Sequence, residues 1–364
     1  MFDQKGTNIK IIDGDGHIQE DEAAIIAHMD DDYRAIIERV GDVFPPLDHL
    51  HAGRAVETPP KRDGRPKMDP KGWLKFLDDV GIEQTVLYPT RALAYGRIVS
   101  HDYAVVACRA YNDWLYSTYV KFNPRFKGMA IIPMQDPAEA VVELRRAVRE
   151  LGMLGAMMPS NGLPEPLGNK VYWPVFEEAD RLGCCLAVHG GCHDRFGLDH
   201  MNMYVPVHAL GHPWGLTLNC ANIIYNGIFE RFPNVRIAFL EGGVAWFLML
   251  LERLHASHET HFQYMPKGMP GVREEDDPGD YICKLISEDR LFLGIETEEL
   301  TLPFAVKVLG NKPFFYSSDF PHEVTHESCE HDIGELMESE ELGDDDKAAI
   351  LYENAARFYK LQQQ

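Results

Sequence analysis

The sequence predicts an α/β chain folded as a (β/α)8 (TIM) barrel with loop insertions over its C-terminal mouth, on three observations. About eight short apolar runs alternate with helix-length segments along 364 residues. No glycine-rich dinucleotide fingerprint follows the first run, as an open doubly wound sheet would have it. The first, fifth, sixth and eighth runs each stop at a side chain able to bind a metal, and those four ends meet at one mouth only if the sheet closes on itself. We read residues 1–364 as one domain, because 45% hydrophobic composition suffices to bury a large core.

The first strand lies in 9–20, which reads IKIIDGDGHIQE. Side chains alternate along a strand, so Ile9, Ile11, Asp13, Asp15 and His17 are expected on one face. Two carboxylates and an imidazole turned inward cost stability without a counter-charge, and a bound metal supplies one. A helix over 21–40 follows, with Ile25, Ile26, Met29, Ile36, Ile37 and Val40 on its apolar side. Residues 41–70 hold six prolines and read as an ordered flap over the end of the first strand. The alternation then runs through helix 73–80, strand 82–88, helix 100–121, strand 127–132, helix 137–151, strand 153–158, helix 172–182 and strand 184–189. An irregular insertion over 190–212 precedes helix 214–232, strand 235–241 and helix 244–262. A loop rich in proline, glycine and acids spans 265–280, and strand 291–295, helix 299–309, strand 314–318 and helix 344–359 complete the series.

The segments LAVHGG (186–191), IAFLEGG (237–243) and FFYSSDFPH (314–322) repeat the pattern of the first strand and offer His189, Glu241 and Asp319. If Asp15, His17, His189, Glu241 and Asp319 all bind, three carboxylates and two imidazoles make a shell harder than a usual zinc site. Manganese or iron then suits it as well as zinc, and one or two ions fit, since a carboxylate can bridge. Asp319 is expected to serve as ligand and general base, with His189 and His322 as further catalytic candidates. Asp13, one alternation deeper, reads as an acceptor supporting the ligands. Glu20 reads as a helix-start acid. Arg91, after the second strand, is placed to clamp a substrate carboxylate. His193, His208 and His212 fall in loops at the mouth, in contact with substrate or ligands. The spacing of His208 and His212 suits a helical pair, but Pro213 disfavours a helix there. The pairs Gly190–Gly191 and Gly242–Gly243 read as tight turns.

The formal net charge of -22, from 57 acidic against 35 basic residues, excludes a nucleic-acid partner or an anionic membrane surface and implies a solvated acidic exterior. The seven cysteines include an adjacent pair, Cys184 and Cys185, which fits no disulfide framework. With neither a secretory leader nor a bilayer-length apolar run, a cytoplasmic protein with reduced thiols is expected. Its partner is a small-molecule substrate, and a homo-oligomer is compatible with the proline-rich extensions.

From Ile11 to Tyr359 the chain resembles the amidohydrolase-related (amidohydrolase 2) metal-dependent barrel enzymes. The branch is that of aminocarboxymuconate-semialdehyde decarboxylase and γ-resorcylate decarboxylase. The likeness rests on Asp15-x-His17, on His189, on RFPNVRIAFLEGG ending the sixth strand and on YSSDFPH at the eighth. Two positions depart from that family's habit: Asp15 stands where His or Glu opens the first pair, and Glu241 where decarboxylating relatives carry His. The resemblance implies a metal-dependent enzyme that hydrolyses or non-oxidatively decarboxylates a small organic acid, ester or lactone. A metal-polarised carbonyl or metal-bound water would do the chemistry. The oxygen-rich shell also admits a nonheme iron or diiron O2-dependent oxygenase on the same barrel, or a non-catalytic metal-binding protein.

Overall fold

The computed structural model describes residues 9–47, 68–193, 195–322 and 324–361. Eight parallel strands pair each with the next in chain order: β1 Ile12–Ile18, β2 Gln84–Pro89, β3 Phe126–Ile131, β4 Gly155–Pro159, β5 Cys185–His189, β6 Arg236–Leu240, β7 Leu291–Ile295 and β8 Phe314–Tyr316. Every strand residue is buried except the half-buried Lys127, as expected where helices cover one face and the barrel interior the other. The sheet comes back on itself just past β8. There Asp319 N donates to Asp15 O (3.0 Å), and His17 N donates to Phe320 O (2.7 Å). The result is the (β/α)8 barrel the sequence predicts.

β1 departs from simple alternation. Asp13 lies opposite Thr85 but Gly16 lies opposite Leu87, so β1 carries one extra residue at a bulge. Asp13 is thereby set apart from the face it was expected to share with Asp15 and His17. Its Oδ2 accepts from Thr85 Oγ1 (2.6 Å), and its Oδ1 accepts from Ser318 N (2.9 Å) and Asp15 N (3.2 Å). Gly16 is needed at this point, because a Cβ there would stand 2.5 Å from Thr85 Oγ1.

Several helices differ from expectation for local reasons. The helix expected over 21–40 is two, Glu22–Ile26 and Asp31–Val40, because Asp30 turns extended as an N-cap and Arg34 Nη2 donates to Met29 O (2.9 Å). The irregular stretch after 190 ends early, at a helix over Tyr204–Tyr225 that runs through Pro213. Burial of Val207, Leu216, Cys220, Ile223 and Ile224 outweighs the hydrogen bond that Pro213 removes. Two further helices were not anticipated: Pro278–Ser287, capped by Asp277, and His326–Glu338, opened by a Thr325–Ser328 capping box. Of the flap expected over 41–70, residues 48–67 lie outside the described residues. Among the described residues no helix is long and apolar enough to cross a membrane.

Candidate metal centre

The C-terminal ends of β1, β5, β6 and β8 deliver the site. Asp15 and His17 end β1, His189 ends β5, and Glu241 and Asp319 stand in the turns after β6 and β8. Both turn residues hold positive φ, 60° at Glu241 and 52° at Asp319, a left-handed backbone that costs about 1 kcal/mol and is found where a site dictates it. His17 Nε2 lies 3.5 Å from Asp15 Oδ1 and 3.4 Å from Asp319 Oδ1, and His189 Nε2 lies 3.4 Å from Asp15 Oδ2. Asp15, His17 and His189 form one set of donors close enough to share an ion, and His17, Asp319 and His322 form another. Glu241 borders both, with Oε2 3.4 Å from His189 Nδ1 and 3.3 Å from His212 Nδ1.

The tautomers show what the cluster is for. His17 Nδ1 donates to Pro89 O (2.6 Å) and His189 Nδ1 to Gly190 O (2.8 Å), which leaves each Nε2 as a lone pair. Those lone pairs face carboxylate oxygens, so acceptors meet acceptors. Asp15 Oδ1, His17 Nε2 and His189 Nε2 are all buried and lack a partner with hydrogen-bond geometry despite their proximity. A divalent cation would satisfy Asp15, His17 and His189 together.

Burial and the crowded charges shift the site residues in opposite directions. Burial works to lower His189, but the Asp15 and Glu241 carboxylates outweigh it and hold the imidazole at about 9. Burial, then His322 and His189, push His17 well below its ordinary value. Burial and the Glu241 charge raise Asp319 to about 7. Burial also works to raise Glu241, yet His212 and His189 overcome it and hold the carboxyl well down. A cation held by Asp15, His17 and His189 would supply the positive charge that Asp15 otherwise draws to His189 as a proton.

The other predicted residues fall as follows. His322 stacks on His17 (ring centroids 3.9 Å apart), with Nδ1 2.6 Å from Asp319 Oδ1 and Nε2 3.0 Å from Thr90 Oγ1. His208 and His212 sit on the helix Tyr204–Tyr225 instead of a loop, their rings 5.6 Å apart, and His193 is buried 4.9 Å from His212. Gly190 and Gly211 are more than turn formers. A Cβ on Gly190 would stand 1.8 Å from His212 Nδ1, and one on Gly211 would stand 2.3 Å from His193 Nε2. Asp13, which burial raises to about 6, ties β1 to β8 and holds Asp15 through its backbone N–H. Arg91 is half exposed, pairs with Glu22 (2.6 Å) and Asp42 (3.3 Å), and is not among the residues lining the cavity over the cluster. Glu20 caps the turn after β2 by accepting from the N–H groups of Thr90, Arg91 and Ala92, whereas Asp21 caps the first helix.

A cavity of about 540 Å3 opens above the cluster, with His208, His212, Glu241, Glu296, Ser317 and Asp319 in its wall and, among the described residues, no lysine or arginine. Glu296 and Ser317 were missed by the sequence reading. Glu296 was findable, because LFLGIE repeats the pattern of an apolar run ending at a metal-competent residue. Ser317 left only its place beside Asp319.

The pattern of the amidohydrolase family matches residues 12–361. The chain is 28% identical over 285 residues to 2-amino-3-carboxymuconate-6-semialdehyde decarboxylase of Dictyostelium discoideum, covering 78% of this chain and 74% of the relative. It is 26% identical over 309 residues to the gamma-resorcylate decarboxylase of Rhodococcus jostii, covering 79% and 86%. The fold matches that of 5-carboxyvanillate decarboxylase from Novosphingobium aromaticivorans, solved with manganese and 4-hydroxy-3-methoxy-5-nitrobenzoic acid. That likeness has a TM-score of 0.73 over 97% of each chain, at 19% identity. Barrel order, ligand-bearing strand ends and a sequence pattern running from β1 to the last helix thus converge: the chain belongs to the amidohydrolase family.

Proposed function

We propose that this protein is a metal-dependent, non-oxidative decarboxylase of a small carboxylic acid whose carboxyl group sits on an aromatic ring or a double bond. One observation carries the reading: imidazole lone pairs and carboxylates face one another at the barrel mouth, in a chain whose named relatives are decarboxylases. Asp15, His17, His189 and Asp319 would hold the ion. The carboxylates favour a hard metal such as manganese, which the related 5-carboxyvanillate decarboxylase structure contains. When bound, the ion supplies a Lewis acid for an oxygen of the substrate.

The chain's own groups do the rest. In decarboxylation the bond to the carboxyl carbon breaks, its electron pair stays on the ring or vinyl carbon, CO2 leaves, and that carbon takes a proton. Asp319 and His322, 2.6 Å apart, hold a proton between them, and the Thr90 hydroxyl 3.0 Å from His322 Nε2 fixes the ring for its delivery. His208 and His212 line the approach and offer hydrogen bonds to substrate oxygens. Buried Asp15, His17 and His189 make a floor shut off from water, where electrostatic effects are strong. None of the named relatives is an oxygenase, and the O2-dependent reading gains no support from them.

The test is to strip the chain with chelator, reload it with Mn2+ and offer 2-hydroxybenzoates and unsaturated dicarboxylates in D2O. Release of CO2 with one deuterium at the vacated carbon, no O2 uptake and no turnover in the stripped chain is expected. Consumption that requires O2, or turnover that survives metal removal, would overturn the reading.

A further inference from the structure

The turn after β6 carries Glu241 and then Gly242, Gly243 and Val244. Glu241 and Gly243 both stand in the left-handed backbone region, at φ 60° and 67°. Val244 opens the helix Ala245–His261 as its N-cap, and its side chain can accept no hydrogen bond from the first turn. A capping box would meet the Val244 N–H with a Glu or Gln three residues on, but Phe247 stands there. The acid comes instead from the turn after β7. Glu299 Oε2 accepts from Val244 N, 55 positions away in sequence, and Glu299 Oε1 accepts from Glu296 N (3.0 Å).

One carboxylate thus joins two turns, and its charge is met by two backbone N–H groups, one of them at a helix N-terminus. Glu241, Gly242 and Gly243 of the first turn and Glu296, Thr297 and Glu298 of the second line the cavity over the cluster, whereas Glu299 does not. The fit is close. A Cβ on Gly243 would stand 3.1 Å from Glu299 Oε2, and one on Gly242 would stand 2.5 Å from Leu216 Cδ1 of the helix Tyr204–Tyr225. The turn is therefore held from both sides, with Glu241 Oε2 3.4 Å from His189 Nδ1 and 3.3 Å from His212 Nδ1.

We propose that Glu299 is a positioning residue for the reaction: from outside the cavity it fixes Glu241 between His189 and His212, and so sets how His212 is offered to the substrate. This role deepens the decarboxylase reading and rests on it for its kinetic test. Loss of the carboxylate leaves the N–H groups of Val244 and Glu296 without their acceptor and frees the turn that carries Glu241. A group displaced by about 1 Å from its working place can cost about 100-fold in rate. Asp15, His17, His189 and Asp319 stand on other strand ends and keep their ion.

Its test is a double-mutant cycle on the full, Mn2+-loaded chain. Glu299→Ala should lower kcat/KM at least about tenfold with metal content and circular dichroism unaltered, and Glu299→Gln, which keeps one acceptor oxygen, should lower it less. In a Glu241→Gln chain, adding Glu299→Ala should cost under about twofold more, because the group it positions is already lost. The ring signals of His189 and His212, read by NMR with diamagnetic Zn2+ bound, should move in Glu299→Ala as they do in Glu241→Gln. Parent-like kcat/KM in Glu299→Ala, or an equal loss in both backgrounds, would overturn the role. If the alanine variant does not fold, Glu299→Gln takes its place in every comparison. If the parent releases CO2 from no acid, the decarboxylase reading falls and the ring signals decide alone: displaced signals uphold the positioning of Glu241, and unmoved ones refute it.

Discussion

Replacement of Asp13 by alanine tests whether the join between β8 and β1 sets the metal site. The carboxylate accepts from Ser318 N, Asp15 N and Thr85 Oγ1, and all three of those partners are buried. Each buried polar group left without a partner costs about 1–3 kcal/mol, so the three together cost at least about 3 kcal/mol. That is a large share of the about 5–15 kcal/mol by which a folded chain is stable. The neighbours of the lost bonds are Asp15, His17 and Asp319, so metal affinity should fall by about 10–100-fold, as when a group supporting a ligand is removed. Asp13→Asn is the control. Its Oδ1 still accepts both N–H groups and its amide donates to Thr85, so stability should stay within about 1 kcal/mol of the parent. Urea unfolding, read as midpoint and slope, with metal content measured on the same samples, gives both quantities. An alanine variant that loses under about 1 kcal/mol and keeps its metal would show that Asp13 is not the tie.

Gly190→Ala should push the His212 ring off Glu241, since the new Cβ would stand 1.8 Å from Nδ1; turnover should drop about 100-fold with metal still bound, as steady-state kinetics and metal analysis will show. Arg91→Ala should change stability by less than about 1 kcal/mol and leave KM unchanged, because its ion pairs with Glu22 and Asp42 lie at the surface. Glu178 carries an acid-side prediction. Burial works to raise its carboxyl, but hydrogen bonds from Arg181 and Arg145 outweigh it and hold the group at about 2. A depressed carboxyl contributes stability that is complete above about pH 4.5 and is lost as pH falls toward 2. Both arginines are partly exposed, so the contribution is about 1 kcal/mol after screening. Melting curves between pH 5 and pH 2.5 should fall more steeply for the parent than for Glu178→Gln.

What the sequence determined by itself is the barrel's element order and the strand ends at which charge is carried. Each strand buries both faces and so must be a short apolar run, and an acid or imidazole at its C-terminal end stands out against that run whatever the rest of the chain does. Asp15, His17, His189, Glu241 and Asp319 are legible for that reason, each displaced by no more than a few residues from a strand boundary. Only the tertiary structure decided where their side chains point. The bulge that sets Asp13 apart from Asp15 depends on Thr85 and on Ser318, the latter 305 positions away. The helix that runs through Pro213 is held by packing that local preference opposes, and it brings His212 to Glu241 through a gap left by Gly190. Arg91 went to the acids of its own surface, and Ser317 acquired meaning only as a wall of a cavity. Local periodicity encodes which segments are buried, whereas the facing of one donor toward another is set by closure of the ring, which no short window of sequence contains.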